Sequence, residues 1–87
     1  MDLETVKQAL GAEIRAWRRR HKVSQEKFAG GSDLSPNEIG KLERGETVPK
    51  LETLILIANG MGLSLGVLFT AAEKRWHETH EGDGPER

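Results

Sequence analysis

Residues 24–45, SQEKFAGGSDLSPNEIGKLERG, carry signals for two short helices, a turn between them and a glycine stop after the second. Ser35 can accept a backbone hydrogen bond as N-cap. Pro36 suits a first helical position that needs no N–H, and Glu38 completes a capping box. Ile39 and Leu42, three apart, form an apolar side, and Gly45 after Arg44 can take the left-handed conformation that ends a helix. The expected span is 36–44. Asn37, Lys41 and Arg44 fall on the opposite side with no apolar residue among them. A helix this short persists in water only when packed. Packing takes up Ile39 and Leu42, so the polar side stays free to touch something polar.

Ser24 is a second N-cap, followed by Gln25, Glu26 and Lys27, with Phe28 and Ala29 as apolar contacts. Residues 32–34 then form the turn. This spacing is what a helix-turn-helix requires, because its second helix must cross the first steeply enough to protrude into a DNA major groove.

With these residues in place the chain resembles the phage-repressor-like, XRE-type helix-turn-helix regulators. The matching residues are Leu10-Gly11, Ile14, Arg18, Ser24-Gln25-Glu26, Phe28-Ala29, Leu34-Ser35, Ile39, Leu42-Glu43-Arg44-Gly45, Pro49 and Ile57-Ala58. They run from about residue 10 to 69, and Leu-Glu-Arg-Gly is the most specific phrase. The chain departs from the pattern at three places. Asp33 stands where the family usually has a turn glycine, a position for positive φ that Asp tolerates better than most residues. Ser32 replaces an apolar residue, and Gly30 and Gly31 replace helix formers at a cost of about 1 kcal/mol each. The first helix of the motif, expected over 25–31, is therefore short or frays after Ala29.

A chain of 87 residues has room for one small domain, expected over 1–80. With no cysteine, disulfides and thiolate metal sites are excluded, and stability must come from helix packing or association. No apolar run approaches a membrane span and the start, Met1-Asp2-Leu3-Glu4, is acidic, so a cytoplasmic protein is expected, and the resemblance implies one of bacterial or phage origin. A net charge of −1 argues against a nucleic-acid partner until its distribution is considered. Over 15–27 the cations Arg15, Arg18, Arg19, Arg20, Lys22 and Lys27 face the single Glu26, whereas over 73–87 five acids outnumber Lys74, Arg75 and Arg87. The basic part abuts the motif.

Three further helices complete an all-α, five-helix, lambda-repressor-like domain with an extended C-terminal helix. Opened by Asp2 or Glu4, residues 3–21 place Leu3, Val6, Leu10, Ile14 and Trp17 at core spacing. Residues 50–59 carry Leu51, Leu54, Ile55, Ile57 and Ala58 around much of the circumference, so this helix should be central; Gly60-Met61-Gly62 closes it. Ser64 caps 65–79, where Leu65, Leu68, Phe69, Ala72 and Trp76 form a stripe longer than the core needs. Residues 81–87, EGDGPER, read as a disordered tail.

The resemblance implies roles residue by residue. Pro36, Asn37 and Lys41 take the base-facing positions: Pro36 for apolar contact, Asn37 for adenine and Lys41 for guanine, each polar pairing worth about 1–3 kcal/mol of discrimination. Gly40 between them suggests close approach of the DNA backbone. Gln25, Arg44, Thr47, Lys50 and Arg19 are the phosphate contacts. Arg18 and Glu43 are a structural pair. Phe69 and Trp76 are the dimer surface, for a homodimer on a palindromic operator.

The function implied is a sequence-specific double-stranded DNA-binding transcriptional regulator, a repressor or autoregulator. The alternative is an antitoxin or coactivator-like module that uses the same fold to grip a toxin or the transcription machinery through its Trp76 end. His77 and His80 lie three apart, but without a third ligand they imply no metal. No catalytic constellation and no cofactor motif is present, so no enzyme is expected.

Overall fold

The computed structural model describes residues 1–80, and the tail expected at 81–87 lies outside them. Five helices follow one another: α1 (Leu3–Arg20), α2 (Gln25–Ala29), α3 (Pro36–Glu43), α4 (Leu51–Gly60) and α5 (Leu65–Thr79), with no strand among the described residues. Four begin on a side-chain cap. Asp2 accepts from the Thr5 amide at 2.8 Å, Ser24 from Lys27 at 3.0 Å, Ser35 from Glu38 at 3.1 Å and Ser64 from Val67 at 3.2 Å. At α3 the Glu38 carboxylate returns the bond to the Ser35 amide at 2.8 Å, completing the capping box and holding its own carboxyl below the usual range. α4 starts from Lys50 without a side-chain cap.

Three helices stop by the same device. After α3, the Gly45 amide bonds to the Leu42 carbonyl and the Glu46 amide to that of Lys41. After α4, Gly62 bonds to Asn59 and Leu63 to Ala58. These are Schellman ends, and both glycines have φ of 73°. α1 ends identically, Lys22 to Arg19 and Val23 to Arg18, but the left-handed residue is Lys22, φ 58°.

The core gathers Leu10 and Ile14 of α1, Phe28 and Ala29 of α2, Ile39 and Leu42 of α3, Leu54, Ile57 and Ala58 of α4, Met61 and Leu68, with Trp17, Leu34, Leu65 and Phe69 half-buried against it. Glu13 of α1 accepts from Arg75 Nε at 2.6 Å and ties α1 to α5.

Four sequence expectations need correction. α2 ends at Ala29, where Gly30 and Gly31 are expected to make it fray, and so does not reach residue 31. Gly30 and Gly31 continue only as tight turns, in which the amides of Gly31 and Ser32 bond to the carbonyls of Phe28 and Ala29. Asp33 does not take positive φ, since among the described residues Lys22 alone does so outside glycine. Ser32 makes the turn instead: its hydroxyl donates to the Ala29 carbonyl and accepts from the Leu34 amide at 3.1 Å each. Leu3 is 62% exposed at the start of α1, where no helix covers it. α4 is not central: Thr53, Leu54, Ile57 and Ala58 face the core, while Leu51 and Ile55 face outward, 62% and 44% exposed.

Lys22 generates the first test. A left-handed L-residue costs about 1–2 kcal/mol, which glycine avoids while giving back about 0.4–1 kcal/mol of unfolded-chain entropy. Lys22→Gly should therefore raise the thermal midpoint by a few degrees, and the β-branched Lys22→Val should lower it, both read by circular dichroism. A lower midpoint for Lys22→Gly would contradict the strained-end assignment.

Candidate nucleic-acid interface

The site is built on a contact between backbones. A Cβ at Gly11 would stand 2.4 Å from the Leu42 carbonyl oxygen and 2.7 Å from that of Glu43, so α1 lies directly on the end of α3 and only glycine fits there. The crossing brings α1 side chains alongside the end of α3.

Among them is Arg18. Its Nε donates to Glu43 Oε2 at 2.6 Å and its Nη2 to Oε1 at 3.0 Å, a two-pronged carboxylate contact, while Nη1 donates to the Val23 carbonyl at 2.9 Å. Gln25, the first residue of α2, donates from Nε2 to the same Oε1 at 3.2 Å. One carboxylate thus joins α1, α2 and α3. The Glu43 side chain is 2% exposed and that of Arg18 12%. Hydrogen bonding to Glu43 holds the guanidinium above its ordinary pKa despite the opposing effect of burial.

With Ile39, Leu42 and Glu43 turned inward, α3 leaves Pro36, Asn37 and Lys41 exposed. Gly40 is buried and is not an open notch. Arg44 Nη1 and Gln25 Nε2 lie 3.2 and 3.5 Å from where its Cβ would be, so the protein's own side chains fill the space assigned to an approaching backbone. Gln25 is half-buried with its amide directed at Glu43. Arg44 is exposed but paired, Nε to Glu46 Oε2 at 2.7 Å. That contact raises the guanidinium pKa and lowers that of the carboxyl. Lys50 is exposed at the cap of α4, and Thr47 is half-buried in a cleft with Asp33, Glu38 and Lys50. Arg19 is exposed in the last turn of α1 and shares a cleft with Arg15 and Arg44.

Phe69 and Trp76 lie away from α3 and are half-buried. Trp76 lines a groove with Gln8, Ala9 and Ala12 of α1, and its ring stacks on His80 at 3.5 Å. Trp17 stacks on His21 at 4.1 Å and packs against the core. His80 Nδ1 lies 2.9 Å from the Trp76 carbonyl oxygen, while His77 is exposed; among the described residues no three potential ligands gather for a metal.

The sequence reading missed the roles of Gly11, Glu46 and the Gln25–Glu43 bond. A glycine inside an otherwise regular helix is itself a signal of close approach. The other two depend on where the chain turns.

Comparison with known proteins agrees with this geometry. A helix-turn-helix family model matches residues 14–68. Control protein C.SmaI of Serratia marcescens is 35% identical over 65 residues, 75% of this chain and 77% of that protein. The clp gene regulator ClgR of Corynebacterium glutamicum superposes with a TM-score of 0.81 at 26% identity, covering 90% of this chain and 83% of that one. A mutant of the restriction-modification controller protein C.Esp1396I gives a TM-score of 0.72 at 25% identity, covering 83% and 96%.

The junction yields a direct test. Glu43→Ala leaves a half-buried guanidinium and an amide without their acceptor, a loss of about 3–5 kcal/mol. The melting temperature should fall by more than ten degrees. Glu43→Gln, which keeps the shape but loses the charge, should fall less. An unchanged midpoint for Glu43→Ala would contradict the role given to Glu43.

Proposed function

The chain belongs to the XRE-type helix-turn-helix family of DNA-binding transcriptional regulators, and from that membership we propose that it recognises a palindromic operator as a homodimer, with α3 in the major groove. The observation that carries this reading is the outward face of α3, where Pro36, Asn37 and Lys41 stand free above a buried Glu43 junction. Asn37 and Lys41 are one turn apart and can reach neighbouring base pairs, Asn37 toward adenine and Lys41 toward guanine, while Pro36 offers apolar contact. Arg19, Gln25, Arg44, Thr47 and Lys50 surround that face as phosphate contacts. They position the helix without reading sequence.

One small domain makes few base contacts, so discrimination calls for two copies about one helical turn apart. The exposed aliphatic residues Leu51 and Ile55, with Val48 just before α4, support pairing through α4. Phe69 and Trp76 are half-buried on α5 and offer less exposed apolar surface than Leu51 and Ile55. The likeness to control protein C.SmaI and to the restriction-modification controller protein C.Esp1396I supports a regulatory role. The alternative is a toxin or a component of the transcription machinery gripped through the Trp76 end of α5.

Duplexes selected by the protein from a random pool test base reading. Asn37→Ala and Lys41→Ala should each lose about 1–3 kcal/mol on the selected duplex with little change on a scrambled one, whereas Lys50→Ala should weaken both alike. Equal losses on both duplexes for Asn37→Ala and Lys41→Ala would remove them from base reading. In sedimentation, Ile55→Asp should shift the protein to monomer and Trp76→Ala should not; the reverse pattern would move the interface to α5.

A further inference from the structure

The DNA reading above makes Arg44 a phosphate contact, and this inference rests on that reading. In the free protein the guanidinium of Arg44 is already engaged: Nε donates to Glu46 Oε2 at 2.7 Å and Nη2 to Oε1 at 3.4 Å. The chain path brings the two together. Arg44 caps α3, Gly45 turns left-handed, and the Glu46 amide closes back on the Lys41 carbonyl, so the chain reverses and Glu46 comes to lie beside the side chain two residues earlier. Gly40 leaves room for the other end of the guanidinium, since Nη1 lies 3.2 Å from where a Cβ would stand.

The surroundings favour an anion from outside. Arg15 and Arg19 line the same cleft as Arg44, and neither takes part in an ion pair among the described residues. The acid on that cleft, Glu43, is committed to Arg18 and Gln25. A phosphate arriving there meets three arginines, and the one anion it must displace is the exposed carboxylate of Glu46.

We propose that Glu46 is an internal competitor for the phosphate contact of Arg44, setting the protein's background affinity for any duplex. When a phosphate takes Arg44, the Glu46 carboxylate is left without its partner, so the contact is weakened by the strength of the ion pair it breaks. Replacing the carboxylate by an amide removes the competitor and leaves the backbone turn intact. Because phosphates carry no sequence information, operator and scrambled duplexes gain by the same factor.

The test is fluorescence anisotropy of the full chain with a selected and a scrambled duplex over a range of salt, for wild type, Glu46→Gln, Arg44→Gln and the double variant. Glu46→Gln should tighten both duplexes about two- to fivefold, the range of an exposed ion pair. In the Arg44→Gln background the gain should vanish. If it persists there, Glu46 acts by long-range repulsion and the proposal is overturned, as it is if Glu46→Gln leaves affinity unchanged or lowers it. Absence of salt-dependent binding by the wild type would instead overturn the DNA reading itself, and this inference with it.

Discussion

The arrangement depends on one buried carboxylate. Glu43 accepts hydrogen bonds from Arg18 of α1 and Gln25 of α2 while sitting in the last turn of α3. A carboxylate this enclosed is costly to bury unless its acceptor positions are filled. The three helices are therefore held in the one arrangement that satisfies it. Gly11 makes that arrangement sterically attainable, because a side chain there would collide with the carbonyls of Leu42 and Glu43. Arg18 also donates to the Val23 carbonyl, extending the junction to the connection between α1 and α2. Orientation of α3, and so of Asn37 and Lys41, follows from a network that includes neither residue.

The same economy appears in the charges. A chain with net charge −1 is an unlikely ligand for a polyanion by composition alone. In the fold, several acids are neutralised by position: Glu43 by Arg18, Glu13 by Arg75, Glu46 by Arg44. Arg15, Arg19 and Lys50 remain outside these pairs and flank the motif. Local charge, rather than total charge, governs what the α3 side can meet.

Much of the fold was legible because helix ends are written locally. Ser24, Ser35 and Ser64 each sit at the start of a described helix, and Gly45 and Gly62 just past the end of one, since a cap needs only residues three or four apart in sequence. Arg18 and Glu43 were legible only through the resemblance; nothing in either residue's neighbourhood foretells a partner 25 positions away. What stayed hidden was set by tertiary context. Lys22 takes a glycine's conformation because α1 must turn there, with its last carbonyls bonded to Lys22 and Val23. Apolar residues around α4 suggested a central helix, but the core covers one side and leaves Leu51 and Ile55 outside. Gly40 read as an opening for DNA and proved to be filled by Arg44 and Gln25, and the latter's bond to Glu43 could not be seen in the sequence.

The central claim is that α3 reads DNA in the major groove, and the most direct measurement is anisotropy with the duplex lying upstream of the protein's own coding region, against a scrambled duplex, at two salt concentrations. The account predicts tighter binding to the native duplex, with affinity on both falling steeply as salt rises. Equal, weak and salt-insensitive binding to the two would contradict it and direct attention to a protein partner.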